Sequence, residues 1–216
     1  MVFWSAATGL AVVALLFFER MGSRAGVWLA KPLASTAFLA VALDADALAT
    51  PYGRGILAGL ALSWLGDVLL IPRRSPRLFL AGVASFLLGH VAYAIAFVAR
   101  GIDTGAASVT AVIVFALAAL VLRWLSPHVG ADMKLAVPTY VLVISLMVIA
   151  AVGTYTLLGN AWIPVGAIAF YLSDLSVARD RFVAEEFVNR IWGLPLYYAA
   201  QVVLAWSVLA EGVLAG

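Results

Sequence analysis

The sequence predicts an all-α membrane protein, a polytopic helical bundle of about eight transmembrane helices. Of the 216 residues, 65% are hydrophobic and only 11% are charged, which leaves too few charges to cover a water-soluble globule. The apolar residues form long runs, and the charged residues gather mainly in short connections between those runs. We therefore expect residues 1–216 to form a single integral membrane domain solvated mainly by lipid.

Each apolar run is interpreted as one span, because about 20 apolar residues cross the hydrocarbon core as a helix and shorter runs do so with polar flanks. The first run has no basic segment before it and no small-residue cleavage site, so we expect a retained span rather than a signal peptide. No connection is long enough to separate a second domain. In chain order the predicted spans are Val2–Phe18, Val27–Leu43, Gly55–Ile71, Leu78–Ala99, Ala106–Leu125, Leu135–Leu158, Ala161–Ala178 and Ile191–Ala210.

Lysine and arginine are distributed unequally over the connections. Ten lie in the odd-numbered connections, two in the even-numbered ones, and Lys31 lies inside a span. Because basic connections remain in the cytoplasm, we expect a bacterial inner membrane protein with cytoplasmic odd connections and both termini outside. The ten are Arg20, Arg24, Arg73, Arg74, Arg77, Arg123, Lys134, Arg179, Arg181 and Arg190, and the two are Arg54 and Arg100.

The composition also excludes several classes of function. The absence of cysteine rules out disulfides, thiolate catalysis and cysteine metal sites. Two histidines, of which His128 lies in a connection, make a multi-histidine zinc site improbable. The sequence contains no serine nucleophile elbow, P-loop, dinucleotide fingerprint or HExxH motif. We therefore expect no metal or other cofactor, and no nucleic acid partner.

A weak internal repeat relates the two halves of the chain. Pro32 precedes Asp67 by 35 positions, and Pro138 precedes Asp174 by 36. Each aspartate follows a small residue and precedes a basic connection. The pattern suggests two parallel four-helix repeats, and chance similarity between apolar helices is the alternative.

Two aspartates are the main candidates for chemistry. Of eleven acidic residues, only Asp67 and Asp174 lie inside predicted spans, both near the cytoplasmic side. An aspartate at membrane depth costs several kcal/mol unless it faces protein, water or a positive charge, so function is the default explanation. A purely structural hydrogen bond between helices is the alternative. Small residues on the same helix face favour burial of both carboxylates within the bundle.

Five further polar residues within the spans are candidates for substrate binding. Lys31 is either a counter-ion for an aspartate, a ligand for a phosphate group, or a side chain that reaches the interface. His90 either relays protons or forms a hydrogen bond in the core. Tyr140, Tyr197 and Gln201 either bind a head group and orient a carboxylate, or simply link helices.

Short motifs around these residues resemble one known family. The stretches 62–70 (LSWLGDVLL), 89–93 (GHVAY), 171–174 (YLSD) and 197–201 (YYAAQ), with Lys31-Pro32 upstream, are similar to the YhhN/TMEM86 lysoplasmalogenase family. The resemblance implies a membrane hydrolase that cleaves the vinyl ether bond of lysoplasmenylethanolamine or lysoplasmenylcholine to a fatty aldehyde and a glycerophospho-base. It also implies that Asp67 and Asp174 are the catalytic pair. The extra charge of Asp180 after the second motif is a departure that alters the expected entrance.

This chemistry is compatible with the residues themselves. Vinyl ether hydrolysis needs an acid for the β-carbon, stabilisation of an oxocarbenium ion, and a base for water, and two unlike carboxyls supply these roles. The expected partners are a lysophospholipid substrate and membrane lipids. A proton-coupled transporter and a non-enzymatic lipid-binding membrane protein remain the alternatives.

Overall fold

The computed structural model describes residues 1–72 and 75–209. Arg73 and Arg74 of the predicted cytoplasmic connection, and residues 210–216 with the end of the eighth predicted span, lie outside the described residues. Within them the chain forms eight α-helices and no strand. The helices are α1 Val2–Met21, α2 Arg24–Asp44, α3 Pro51–Leu69, α4 Pro76–Ala99, α5 Thr104–Leu125, α6 Ala136–Leu158, α7 Trp162–Ala178 and α8 Phe187–Trp206.

Polar caps explain why four helices begin earlier than the apolar runs that predicted them. The side chains of Ser23, Thr50, Ser75 and Asp103 each accept a hydrogen bond from a backbone N–H of the first turn. Such a cap satisfies an N–H group that has no partner within the helix. The apolar runs therefore locate the helices, whereas the caps determine where α2 to α5 begin.

The predicted all-α membrane bundle is confirmed. Among the described residues, five helical segments are long and apolar enough to cross a membrane: α1, α2, α4, and the segments Thr104–His128 and Ala131–Leu158 that contain α5 and α6. The other three helices, α3, α7 and α8, do not meet this criterion. They carry Asp67, Asp174 and Tyr197 of the candidate site, polar residues that are more readily accommodated against protein than against lipid.

The bundle closes through contacts between its two halves. Neighbouring helices pack in sequence from α1 to α4 and from α5 to α8, while α4 packs against α6 and α8 packs against α1, α2 and α3. If the two halves correspond, α2 is equivalent to α6 and α8 is equivalent to α4. The contact between α2 and α8 is then equivalent to the contact between α6 and α4. This correspondence agrees with parallel four-helix repeats, which remain a prediction.

Burial is distributed as expected for a protein in lipid. The largest fully buried side chains include Tyr93, Phe97, Phe170 and Tyr198 at the centre of the bundle. Large apolar side chains point outward in many places, and α5 buries only Val114, Ala118 and Leu125. An apolar outer surface of this extent is stabilised by a bilayer rather than by water.

Small residues bring the helices of the site close together. A Cβ atom added to Gly66 would lie 2.7 Å from the ring of Phe86 on α4, and one added to Gly166 would lie 2.7 Å from the side chain of Leu204 on α8. Gly66 directly precedes Asp67, and Gly166 lies about two turns before Asp174 on α7. This close packing accompanies the predicted burial of Asp67, whereas Asp174 is only partly buried.

Candidate active site

A cavity of about 460 Å³ lies at the end of the bundle that carries the odd-numbered connections. Both Asp67 and Asp174 line it. The deeper wall is apolar and aromatic, whereas charged side chains occur near the connections. Wall residues include Leu70, Val83, Phe86, Val121, Val141 and Ile144, and the charged residues are Glu19, Asp180, Arg181, Glu185 and Arg190.

Asp67 is surrounded by hydrogen-bond donors from two other helices. Its Oδ1 lies 3.2 Å from Nζ of Lys31, and its side chain is only 3% exposed. Its Oδ2 accepts hydrogen bonds from Ser35 Oγ at 2.5 Å and from the Tyr197 hydroxyl at 2.8 Å. One positive charge and two hydroxyl donors stabilise the ionised form of a buried carboxyl.

Helix geometry explains how these donors converge on Asp67. Lys31 and Ser35 are four residues apart on α2, so they lie on the same face, one turn apart. Tyr197 and Tyr198 follow each other on α8, and the Tyr198 hydroxyl lies 3.3 Å from Ser35 Oγ. The site around Asp67 is therefore assembled by α2, α3 and α8.

Asp174 has different surroundings. Its Oδ2 accepts a hydrogen bond from the Tyr140 hydroxyl of α6 at 2.8 Å, and it lies 3.5 Å from Nε2 of His90 on α4. Its side chain is 18% exposed, against 3% for Asp67. Asp174 thus faces the cavity more openly, without a lysine or arginine in the ion pairs formed by the described residues.

An aromatic cluster links residues that contact the two carboxyl groups. The Phe86 and Phe170 ring centroids are 6.2 Å apart, and both rings pack on Tyr197, with centroids 5.7 Å and 5.4 Å away. Phe170 also packs against His90, with 4.3 Å between the ring centroids. The cluster therefore packs against both the tyrosine that contacts Asp67 and the histidine that lies beside Asp174.

The mouth of the cavity is held by a network of charges after α7. A π-helical turn, Arg179–Val183, follows α7 and ends at Ala184. The buried Asn189 donates hydrogen bonds from Nδ2 to Asp180 and to the Ala184 carbonyl, and its Oδ1 accepts one from Arg179. Asn189 thereby joins this turn to the first turn of α8.

Arg190 lies at the centre of the acidic side of the mouth. Its guanidinium lies 3.4 Å from Asp180, 3.3 Å from Glu185 and 3.9 Å from Glu19. The positive charge that the sequence places after α7 is thus largely compensated by carboxylates. Asp180, the extra charge by which this sequence departs from the family it resembles, lies at the entrance of the cavity and helps to form it.

The structure places the five candidate binding residues in two groups. Lys31, Tyr140 and Tyr197 line the cavity, and each contacts a carboxylate. His90 and Gln201 do not line it. His90 lies behind Asp174, and Gln201 is fully buried with its Oε1 accepting a hydrogen bond from Tyr93 at 2.7 Å.

Sequence reasoning missed several residues that shape the site. Ser35 is the clearest case, since its position one turn after Lys31 was a usable signal. Asn189 and Arg190 were not singled out as site residues, because only the bundle geometry brings the start of α8 beside the turn after α7. Within the described part of the chain, no three histidine, aspartate or glutamate side chains gather into a group able to hold a metal ion.

Comparison with known proteins decides the family. The model of the YhhN family matches residues 26–208, which include every residue placed in the site above except Glu19. The chain belongs to the YhhN family. No solved structure gave a significant match to it.

Curated relatives of this YhhN family member carry one common name. It is similar to the bovine lysoplasmalogenase TMEM86A, with 32% identity over 168 residues, which cover 74% of this chain and 67% of the relative. A lysoplasmalogenase of Mycobacterium tuberculosis is 32% identical over 176 residues, 78% of this chain and 66% of the relative. Human lysoplasmalogenase TMEM86A is 30% identical over 166 residues, which cover 74% of this chain and 67% of the relative. The match thus spans about two thirds of the length of these relatives.

Proposed function

We propose that this YhhN family member hydrolyses the vinyl ether bond of lysoplasmalogens and releases a fatty aldehyde and a glycerophospho-base. The names of its relatives support this reaction. The observation that carries the proposal is the pair of carboxyl groups in unlike surroundings on one cavity. An acid and a base held apart on one cavity are what hydrolysis of an enol ether requires.

The cavity matches a single-chain lipid. The apolar wall of the cavity, which includes Leu70 and Ile144, accommodates the alkenyl chain. The charged mouth accommodates the phosphate and its base. Arg181, which lines the mouth beside Phe79, is the cation proposed to meet the phosphate. Placed this way, the first carbons of the chain, which carry the vinyl ether, lie between mouth and wall, beside the carboxyl groups.

Asp174 is assigned as the general acid. It faces the cavity, it lacks a cationic lysine or arginine partner among the described ion pairs, and its surroundings are apolar and aromatic. A carboxyl group in such surroundings is more readily kept in its protonated form than one beside a lysine. It is therefore the better donor to the β-carbon.

Asp67 is assigned as the general base. Lys31, Ser35 and Tyr197 stabilise its carboxylate, so it holds a negative charge in the resting enzyme. A fixed negative charge near the reacting carbon also stabilises the oxocarbenium ion. No metal or acyl nucleophile takes part in this assignment.

The proposed cycle returns both carboxyls to their starting state. The alkene electron pair takes the proton of Asp174, which forms the new C–H bond and leaves an oxocarbenium ion. Water attacks that carbon while Asp67 accepts one of its protons, giving a hemiacetal. The hemiacetal hydroxyl then returns its proton to Asp174, and the C–O bond to glycerol breaks as Asp67 protonates the departing oxygen. The products are the aldehyde and the free glycerol hydroxyl.

The proposed location is a bacterial inner membrane, with both termini outside and the cavity toward the cytoplasm. The ten-to-two distribution of basic residues supports this orientation, because α3 and α7 both end, just after the aspartates, at the basic side.

A direct assay tests the proposal. Detergent-purified protein is incubated with a lysoplasmalogen, and the aldehyde is measured by mass spectrometry, with the Asp67→Asn protein as control. We expect aldehyde from the wild type only, and a single deuterium at its second carbon when the reaction runs in deuterated water. Turnover without that label, or no turnover of any lysoplasmalogen, would overturn the function.

A further inference from the structure

His90 is the buried titratable residue that the proposed cycle leaves unused. It is fully buried in the centre of α4, does not line the cavity, and its Nε2 makes no hydrogen bond within the geometric limits for one. That nitrogen nevertheless points at Asp174, with 3.5 Å between Nε2 and Oδ2. Leaving a buried polar atom without a partner is costly, so its position requires a reason.

The other ring nitrogen fixes the tautomer. Nδ1 lies 2.7 Å from the carbonyl oxygen of Phe86, one turn earlier on α4. A carbonyl only accepts hydrogen bonds, so Nδ1 must carry a proton. Nε2 then either carries a lone pair, in the neutral imidazole, or a second proton, in the imidazolium. Asp174 is the neighbouring group that decides between these two states.

The remaining neighbours of His90 do not compete for this proton. Tyr140 of α6 packs edge-on against the imidazole at 5.3 Å, and its hydroxyl donates to Asp174. Phe170 of α7 covers the ring face. The other intramembrane carboxylate, Asp67 of α3, is held by Lys31. The gap between Asp174 Oδ2 and His90 Nε2 is therefore a place where one proton can lie, on either atom.

We propose that His90 is a positioning residue that shares a single proton with Asp174 and so keeps that aspartate ready as the proton donor. The pair is electrically neutral overall with the proton on either atom, which suits a site surrounded by apolar side chains. The inference deepens the proposed function and rests on it. It adds a second position for that one proton, on a nitrogen behind the acid and out of contact with substrate.

The proton balance of the cycle is unchanged by this addition. Before reaction the shared proton moves to Oδ2, which leaves a neutral imidazole with Nδ1–H still bound to Phe86. The Oδ2–H bond breaks as the new C–H bond forms at the substrate. The proton that later leaves the hemiacetal hydroxyl restores the pair.

Nuclear magnetic resonance tests the pairing without any turnover. The sequence holds only two histidines, so ¹⁵N-histidine labelling gives two imidazoles to assign, and exposed His128 serves as the internal reference. We expect Asp174→Asn to move the His90 Nε2 resonance toward that of a neutral acceptor nitrogen. Asp67→Asn is the matched control and should leave it in place. An unchanged resonance in Asp174→Asn would overturn the pairing even if the enzyme is active.

Kinetics test its consequence for the reaction. His90→Gln keeps a polar side chain that cannot carry the proton, and His90→Phe keeps a ring. We expect kcat to fall about 10- to 100-fold in both, at or below the low end of the usual contribution of a proton-transfer group because His90 acts through Asp174, while KM changes less than about 2-fold. Ser85→Ala, which removes a hydrogen bond from the same helix to the Leu62 carbonyl, is the control for packing and should retain kcat.

The outcomes separate this inference from the proposed function. A wild type that releases no aldehyde contradicts the function, and the resonance experiment still decides whether the pair exists. If the wild type is active and the His90→Gln or His90→Phe protein has the same kcat, the inference is contradicted but the proposed function is not. A parallel rise of KM in both variants would indicate a distorted cavity and would likewise contradict it.

Discussion

Asp67 and Asp174 are identical residues at equivalent ends of α3 and α7, and their neighbours make them chemically different. Asp67 has an ammonium group and two hydroxyl donors, whereas Asp174 has one hydroxyl donor and an imidazole. Coulombic attraction and hydrogen bonding both act on the first, whereas no lysine or arginine joins the second in the described ion pairs. The proposed difference between an acid and a base thus arises from helices other than those that carry the carboxyls.

Replacing either aspartate by asparagine tests this division. Asparagine retains the shape but neither donates nor accepts the transferred proton, so we expect Asp67→Asn and Asp174→Asn each to lower kcat by about 10²- to 10⁴-fold. Aldehyde release measures the rate, and gel filtration in detergent measures folding. Exposed Asp132→Asn is the matched control and should behave as wild type. A fully active variant at position 67 or 174 would remove that residue from the mechanism.

Lys31 has a separate effect on stability. Removing one partner of a buried ion pair leaves an uncompensated charge, which costs about 3–5 kcal/mol. We expect Lys31→Met to unfold at a clearly lower temperature than wild type in the same detergent. Adding Asp67→Asn to that variant removes the stranded carboxylate, so the double variant should recover much of the stability but no activity. A single Lys31→Met variant as stable as wild type would contradict the ion pair.

The residue scale is also where sequence reasoning reached its limit. Polar residues inside apolar runs identified Lys31, Asp67, Tyr140, Asp174 and Tyr197, all of which line one cavity. The partner of each could not be derived, since a hydrogen bond such as that from Ser35 to Asp67 depends on how α2 and α3 are rotated about their axes. Helical spacing alone gives a face, and packing decides what that face meets.

At the scale of elements, α8 connects the mouth of the cavity to the surroundings of Asp67. Asn189 fastens the π-helical turn after α7, and Tyr197, two turns further along, holds Asp67. A π-helical turn departs from the ordinary helix and is often found at functional sites. No sequence pattern indicated this turn, because the side chain that stabilises it, Asn189, belongs to α8.

Loosening that turn should affect binding more than chemistry. Asn189→Ala removes three hydrogen bonds at the mouth, so we expect KM to rise several-fold with little change in kcat. Loss of a buried hydrogen-bonding group should also lower stability by about 1–3 kcal/mol.

Asn160→Ala provides a control of the same residue type. Asn160 is also buried and joins the connection between α6 and α7 to the end of α8, by donating a hydrogen bond to the Ser207 carbonyl, but it does not line the cavity. We expect this variant to lose stability without a rise in KM. Equal KM values for the Asn189 and Asn160 variants would show that the mouth of the cavity does not contribute to substrate binding.

At the scale of the whole molecule, hydropathy predicted the eight helices and the side of the bundle that holds the site. Apolar runs are forced into helices because lipid offers no partners for backbone groups. The contacts of α8 with α1, α2 and α3 were beyond reach, since nothing in an apolar run specifies its neighbours. The two-repeat arrangement and the orientation in the membrane remain predictions.

The absence of cysteine in the sequence makes the orientation easy to test. Ala131 lies exposed in the connection between α5 and α6, and Ala49 lies exposed in the connection between α2 and α3. With the cavity toward the cytoplasm, Ala49→Cys should react with an impermeant maleimide in intact cells, and Ala131→Cys only after permeabilisation. The opposite labelling pattern would place the cavity on the outer side.

The location of the cavity at one end of the bundle has a consequence for the supply of substrate. A lipid whose head group rests at that mouth must come from the adjacent leaflet, and the polar head group hinders passage from the opposite one. In sealed vesicles with uniformly oriented enzyme, hydrolysis should therefore stall once the facing monolayer is depleted. A lipid scramblase that forms no pore, added at that point, should restart hydrolysis. Uninterrupted consumption of all the substrate in the vesicles would instead show that the enzyme draws on both monolayers.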